Sequence, residues 1–136
     1  MPSLDLADET YLAVPPVTVA RVVADPERWR AWWPDVELTV HQDRGPAGIR
    51  WVVAGAVQGS AEIWLEPLRG GTLLHYYLRA EPVRPLSPRR IVRERERRAR
   101  AWKQHAFALK DALEAAAAPE RPEGSSGATE VPTSTG

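Results

Sequence analysis

Residues 59–78 read GSAEIWLEPLRGGTLLHYYL. Two runs that alternate apolar and polar residues flank the turn Pro67-Leu68-Arg69-Gly70-Gly71, which predicts an antiparallel hairpin of strands over 60–66 and 72–80. Ala61, Ile63 and Leu65 share one face with Leu74, Tyr76 and Leu78. The other face takes Glu62, Trp64, Glu66, Leu73, His75, Tyr77 and Arg79. One apolar and one mostly polar face predict a sheet covered on a single side.

The cover lies just C-terminal. Ser87-Pro88 is an N-cap followed by proline at the first helical position, and nothing breaks a helix from there to about Ala117. At 1.5 Å per residue this helix is roughly 45 Å long. Its apolar stripe reads Val92, Ala99, Trp102, Ala106, Leu109 and Leu113, and Arg95 falls on the same stripe. On the N-terminal side of the hairpin, period-two alternation predicts a strand over 8–14, ended by Pro15-Pro16. Two short helices follow, over 17–23 and from Asp25-Pro26 to Trp33, and then strands over 36–41 and 48–54. The fold class is therefore α+β: a short antiparallel sheet of about five strands, two short helices after strand 1, and one long C-terminal helix packed on the sheet. The domain takes residues 1–118. Residues 119–136, PERPEGSSGATEVPTSTG, are rich in Pro, Gly, Ser and Thr and predict a disordered tail.

Composition removes several kinds of chemistry. There is no cysteine, and His41, His75 and His105 are widely spaced, so no metal-ligand pattern appears. No phosphate-binding glycine loop and no nucleophile elbow is present, and no cofactor is expected. The N-terminus lacks a basic and apolar leader, and no apolar run approaches the ~20 residues of a membrane span, so the default location is cytoplasmic. Net charge is zero, with 18 basic and 18 acidic residues. The distribution is uneven, with nine basic residues against Glu94 and Glu96 between Arg84 and Lys103. Pairs such as Glu94 with Arg97 and Arg98, and Glu96 with Arg100, read as a solvated helix face. Nucleic acid is not the favoured partner, because no aromatic or basic loop motif accompanies the run.

Three segments carry a family resemblance: Asp25-Pro-Glu-Arg-Trp-Arg-Ala-Trp-Trp-Pro34, Gly59-Ser-Ala-Glu-Ile-Trp-Leu-Glu-Pro67 and Gly71-Thr-Leu-Leu-His-Tyr-Tyr-Leu78. Together with the order of elements they resemble the helix-grip superfamily (SRPBCC), which includes START-related lipid-transfer domains, Bet v 1 allergens and polyketide cyclase/dehydrase proteins. The resemblance implies binding of a hydrophobic or polyketide-like small molecule, with cyclase or dehydrase activity left open. Other readings are a non-enzymatic lipid carrier, or an interaction module that uses the basic helix for a protein or polyanion partner.

The faces that should meet bring Trp33, Trp51, Val53, Ile63, Leu74, Tyr76, Trp102, Ala106 and Leu109 together, as pocket lining or as core filling. Arg95 would orient a polar ligand group, or else be solvated. Taking Ile63 opposite Leu74 also sets Glu62 opposite His75, either a carboxylate-oriented base or a surface ion pair. The superfamily usually shows seven strands. Five leave apolar surface to cover, which predicts either a filled core or a homodimer.

Overall fold

Leu4, Leu6, Thr10 and Leu12 turn inward along strand β1, Leu4–Leu12, in the computed structural model, which describes residues 2–118. The strand starts four residues earlier than the sequence pattern predicts. Asp8 interrupts the apolar inner face, and the structure neutralises it with Lys103 at 3.0 Å. Pro16 opens helix α1, Pro16–Val23, which buries Val19 and Val23. Asp25 then caps helix α2, Pro26–Trp32, its carboxylate accepting from the Glu27 amide. Strands β2 (Val36–Asp43), β3 (Gly48–Gly55), β4 (Val57–Leu68) and β5 (Gly71–Pro82) follow, and helix α3 runs from Pro88 to Ala117. The predicted tail, 119–136, lies outside the described residues.

The sheet order is β1-β5-β4-β3-β2, antiparallel throughout. Arg69 and Gly70 both have positive φ, 52° and 77°, the geometry of a two-residue type I′ hairpin turn. Leu68 therefore pairs with Gly71, and the register differs by two residues from the one predicted with a longer loop. Ile63 faces Tyr76, Glu62 faces Tyr77, and His75 faces Trp64. The expected Glu62/His75 pair is not formed. Gly48 starts β3 at φ 119°, where a Cβ would stand 2.0 Å from the Ile63 carbonyl oxygen, so only glycine lets β3 and β4 close here.

The inner face of the sheet supplies Ile49, Trp51 and Val53, Ala61, Ile63 and Leu65, and Leu74, Tyr76 and Leu78, all buried. Helix α3 lies mainly against β1. The chain's two lysines fix it there. Lys103 Nζ donates to the Glu9 carbonyl at 2.9 Å and Lys110 Nζ to the Tyr11 carbonyl at 2.8 Å, while the Glu114 carboxylate accepts from the Ala13 amide at 2.7 Å. These groups belong to the outer edge of β1 and its exit, which would otherwise present unpaired backbone to solvent.

Candidate functional site

The space between α3 and strands β3 to β5 is filled with rings. α2 is rich in tryptophan and is closed by Pro34, so Trp29, Trp32 and Trp33 arrive within one short turn of chain. Trp33 leaves the helix at φ −136°, ψ 72°, and its indole turns inward. It lies nearly parallel to Tyr76 and to Trp102, at 16° and a centroid distance of 5.6 Å in each case. Tyr76 stacks on Trp102 at 4.5 Å. Trp51 meets Trp29 and Trp33 edge-on, and Trp32 meets Trp102 at 90°. Such offset and edge-to-face contacts are the favoured geometries of aromatic packing.

Two polar features stand out in this interior. Trp51 Nε1 and Trp102 Nε1 are buried with no hydrogen-bond partner among the described residues, and an unmet buried donor costs stability. Burial pushes the Tyr76 hydroxyl well above its ordinary pKa, against the Arg98 charge and the neighbouring Trp33 indole, which pull the other way. The phenol is therefore neutral. Next to it, a fissure bounded by Trp33, Leu38, Val53, Ala61, Leu78 and Arg98 leaves ≈ 10 Å³ for the centre of a water-sized sphere, room for at most one water molecule.

Arg98 closes the fissure and is 8% exposed. Its Nη2 donates to Asp35 Oδ2 at 2.5 Å and its Nε to Glu94 Oε2 at 2.7 Å. Arg97 adds a bond to Glu94 at 2.7 Å. Two cations and two carboxylates thus cancel within the cluster. Burial works to raise the Glu94 pKa, but the hydrogen bonds and charges of Arg97 and Arg98 outweigh it and hold the carboxyl below its usual range.

Nine of the ten residues expected at the site are brought together in the interior: Trp33, Trp51, Val53, Ile63, Leu74, Tyr76, Trp102, Ala106 and Leu109 are all buried. Arg95 is not among them. It is exposed, as are Val92 and Ala99, and the first half of α3 turns Ile91, Glu94 and Arg98 toward the body instead. The expected stripe followed apolar side chains. The observed face follows charge, because Asp35 and Glu94 compensate Arg98 there and no carboxylate awaits Arg95. Pattern reading could not find this, since Asp35 and Arg98 are 63 residues apart.

On the outer face, His75 stacks on Trp64 at 4.2 Å, and its Nε2 lies 2.9 Å from Glu66 Oε1. Glu62 is bound by Arg44 and, at 3.2 Å, by Arg50. A hollow of ≈ 520 Å³ forms an open groove beside Glu62, walled by Arg50, Tyr77 and Arg79. Among the described residues, no three His, Asp or Glu side chains converge to hold a metal ion. No helix among them is long and apolar enough to cross a membrane.

No family model matches the chain, and no curated protein matches it. Solved structures do. The Aha1 dimer from Colwellia psychrerythraea aligns with TM-score 0.60 and 13% identity over 85% of this chain and 99% of its own. The Zhui aromatase/cyclase from Streptomyces sp. R1128 gives 0.52 and 15% over 85% and 98%. Ara h 8.0201 gives 0.50 and 14% over 82% and 97%. At such identities the likeness speaks for the fold. The chain has the helix-grip fold seen in these structures, in a five-stranded form.

Proposed function

We propose that the protein binds a neutral, flat, apolar small molecule between α3 and the sheet, at the place that the Trp33 indole occupies in the unliganded chain. The observation that carries this reading is the seating of Trp33. Its ring belongs to the short junction between α2 and β2, yet it fills the centre of the interior beside Tyr76 and Trp102. Swinging it out would open a slot of indole size walled by rings. It would also uncover the buried Tyr76 side chain and leave the unpartnered N–H groups of Trp51 and Trp102 close to ligand acceptors. Arg98 is already neutralised by Asp35 and Glu94, so a charged ligand gains little there. A polyketide-like aromatic meets these requirements, and so does a carried lipid with a planar head. Any cyclisation or dehydration would come from positioning in a water-poor slot. A homodimer is the alternative to the filled core, and the oligomeric state is read in the same experiment.

The test is thermal melting with 2-naphthol as the probe, for wild type and Trp33→Ala, with native mass spectrometry of the same samples. A ligand at 100 times its Kd stabilises by about 2.7 kcal/mol. The probe should raise the melting temperature of both forms and act at lower concentration on Trp33→Ala, whose slot is already open. No shift in either form would remove the interior site. The mass spectra report co-purified ligand directly, and they show whether particles carry one 15.1 kDa chain or two.

A further inference from the structure

The first half of α3 carries more charge than its own pairs absorb. Eight arginines fall between Arg84 and Arg100. Arg97 and Arg98 are tied to Glu94 and Asp35. Among the described residues, no carboxylate comes within 4.0 Å of Arg84, Arg89, Arg90, Arg93, Arg95 or Arg100, and all six are exposed. The pair expected between Glu96 and Arg100 is not made.

The position of these charges is costly. Arg89 and Arg90 stand in the first turn, where the helix dipole is positive, and no acidic residue shares that turn. At about 100° per residue, Arg89, Arg93 and Arg100 point within roughly 40° of one another, with Arg90 beside them. They form a row about 16 Å long on the face of α3 turned away from the sheet.

The composition of this row selects its partner. A protein partner would need a desolvated apolar centre to its interface, and a bilayer would need a continuous apolar face to insert. Here the exposed apolar groups stand singly, Val83 and Val92 at the fringe and Phe107 in line with the row but two turns beyond Arg100, so they make no continuous apolar face. A partner that asks for neither is a regular row of anions, and guanidinium groups fit phosphate in a bidentate manner. We infer that this face of α3 binds the phosphodiester backbone of a nucleic acid, independently of sequence and of the interior site.

Fluorescence anisotropy of a labelled 20-base-pair DNA duplex tests this with the full chain, and duplex RNA of the same sequence forms a second arm. Four arginines on the backbone predict a slope of log affinity against log salt of about −3.6, a loss of roughly 150-fold between 50 and 200 mM. The variant Arg89→Gln/Arg93→Gln/Arg100→Gln should keep the wild-type melt and show a slope near −0.9, a loss of about 3- to 4-fold. A variant with the same charge change on α1 and α2, Arg21→Gln/Arg28→Gln/Arg30→Gln, should keep the wild-type slope. If the helix triple variant melts early, Arg93→Gln alone should still lower the slope by about 0.9. The tighter arm identifies the nucleic acid. Three results would each overturn the inference: no duplex binding at 50 mM salt, equal slope loss in both triple variants, or binding to phosphatidylglycerol vesicles in place of duplex.

Discussion

Trp102→Ala removes the ring on which the interior is stacked. Trp102 is 1% exposed and touches Trp32, Trp33 and Tyr76. A tryptophan buries 150–250 Å², so at ~25 cal/mol per Å² its burial is worth roughly 4–6 kcal/mol, an upper bound because unfolded chains are already partly compact. Truncations of this kind measure about 3–5 kcal/mol. A folded body of about 115 residues unfolds with an entropy near 0.24 kcal/mol/K, so the melting temperature should fall by about 12–20 °C. Thermal melts followed by near-ultraviolet circular dichroism read the change where the rings report most directly. The outer-face Trp64→Ala serves as control and should lose far less. If Trp102→Ala melts within about 4 °C of wild type, the stack does not hold the domain together, and the account of a ring-filled interior fails.

Three further outcomes follow from the charges. Arg98→Met strands Asp35 and Glu94 opposite each other. Breaking a buried pair costs about 3–5 kcal/mol, and the partial exposure of Asp35 reduces this to about 2 kcal/mol, measurable by urea denaturation. A neutral result would mean that the cluster does not latch α3 to the α2–β2 junction. Glu94 has its folded pKa held low, so its contribution is present above the ordinary carboxylate range near 4.3 and is lost as pH falls through the folded value. Glu94→Gln should flatten the fall in melting temperature below about pH 4.5. His105 is pushed down by burial, so its stability is whole above about pH 6.5 and declines as the ring is forced to protonate below that. His105→Gln should narrow the melting-temperature gap between pH 7.5 and pH 5, and an unchanged gap would reject the assignment.

The elements of this fold were legible because their signals are local. Alternation marked the hairpin, Ser87-Pro88 marked the start of α3, and Asp25-Pro26 marked α2. Register was not legible. Whether Arg69-Gly70 alone makes the turn or belongs to a longer one depends on backbone angles, and the choice moves Glu62 from His75 to Tyr77. The aromatic part of the candidate site could be read because large rings on facing elements have nowhere else to go. Its charged part could not. Arg95 and Arg98 look alike in sequence, and only the placement of Asp35 across the fold decides which one turns inward. Lys103 and Lys110 resemble ordinary surface lysines until β1 is seen beneath them.

The attachment of β1 bears on how the chain is made. This strand pairs with β5, beginning at Leu12 with Thr72, and its other edge is held by Lys103, Lys110 and Glu114, 94 to 101 residues further along. Everything that secures the first strand is therefore synthesised well after it. On the ribosome, residues 4–12 leave the exit tunnel as an apolar strand with no partner until β5 follows, and the outer edge stays open until α3 has also emerged. The intervening hairpins can pair as they appear, since their contacts are short-range. The amino terminus has to wait for the carboxyl terminus. A chain stalled before Lys103 would present the unguarded leucine edge of β1 to any neighbouring strand, and that interval is when this protein depends most on being shielded by something else.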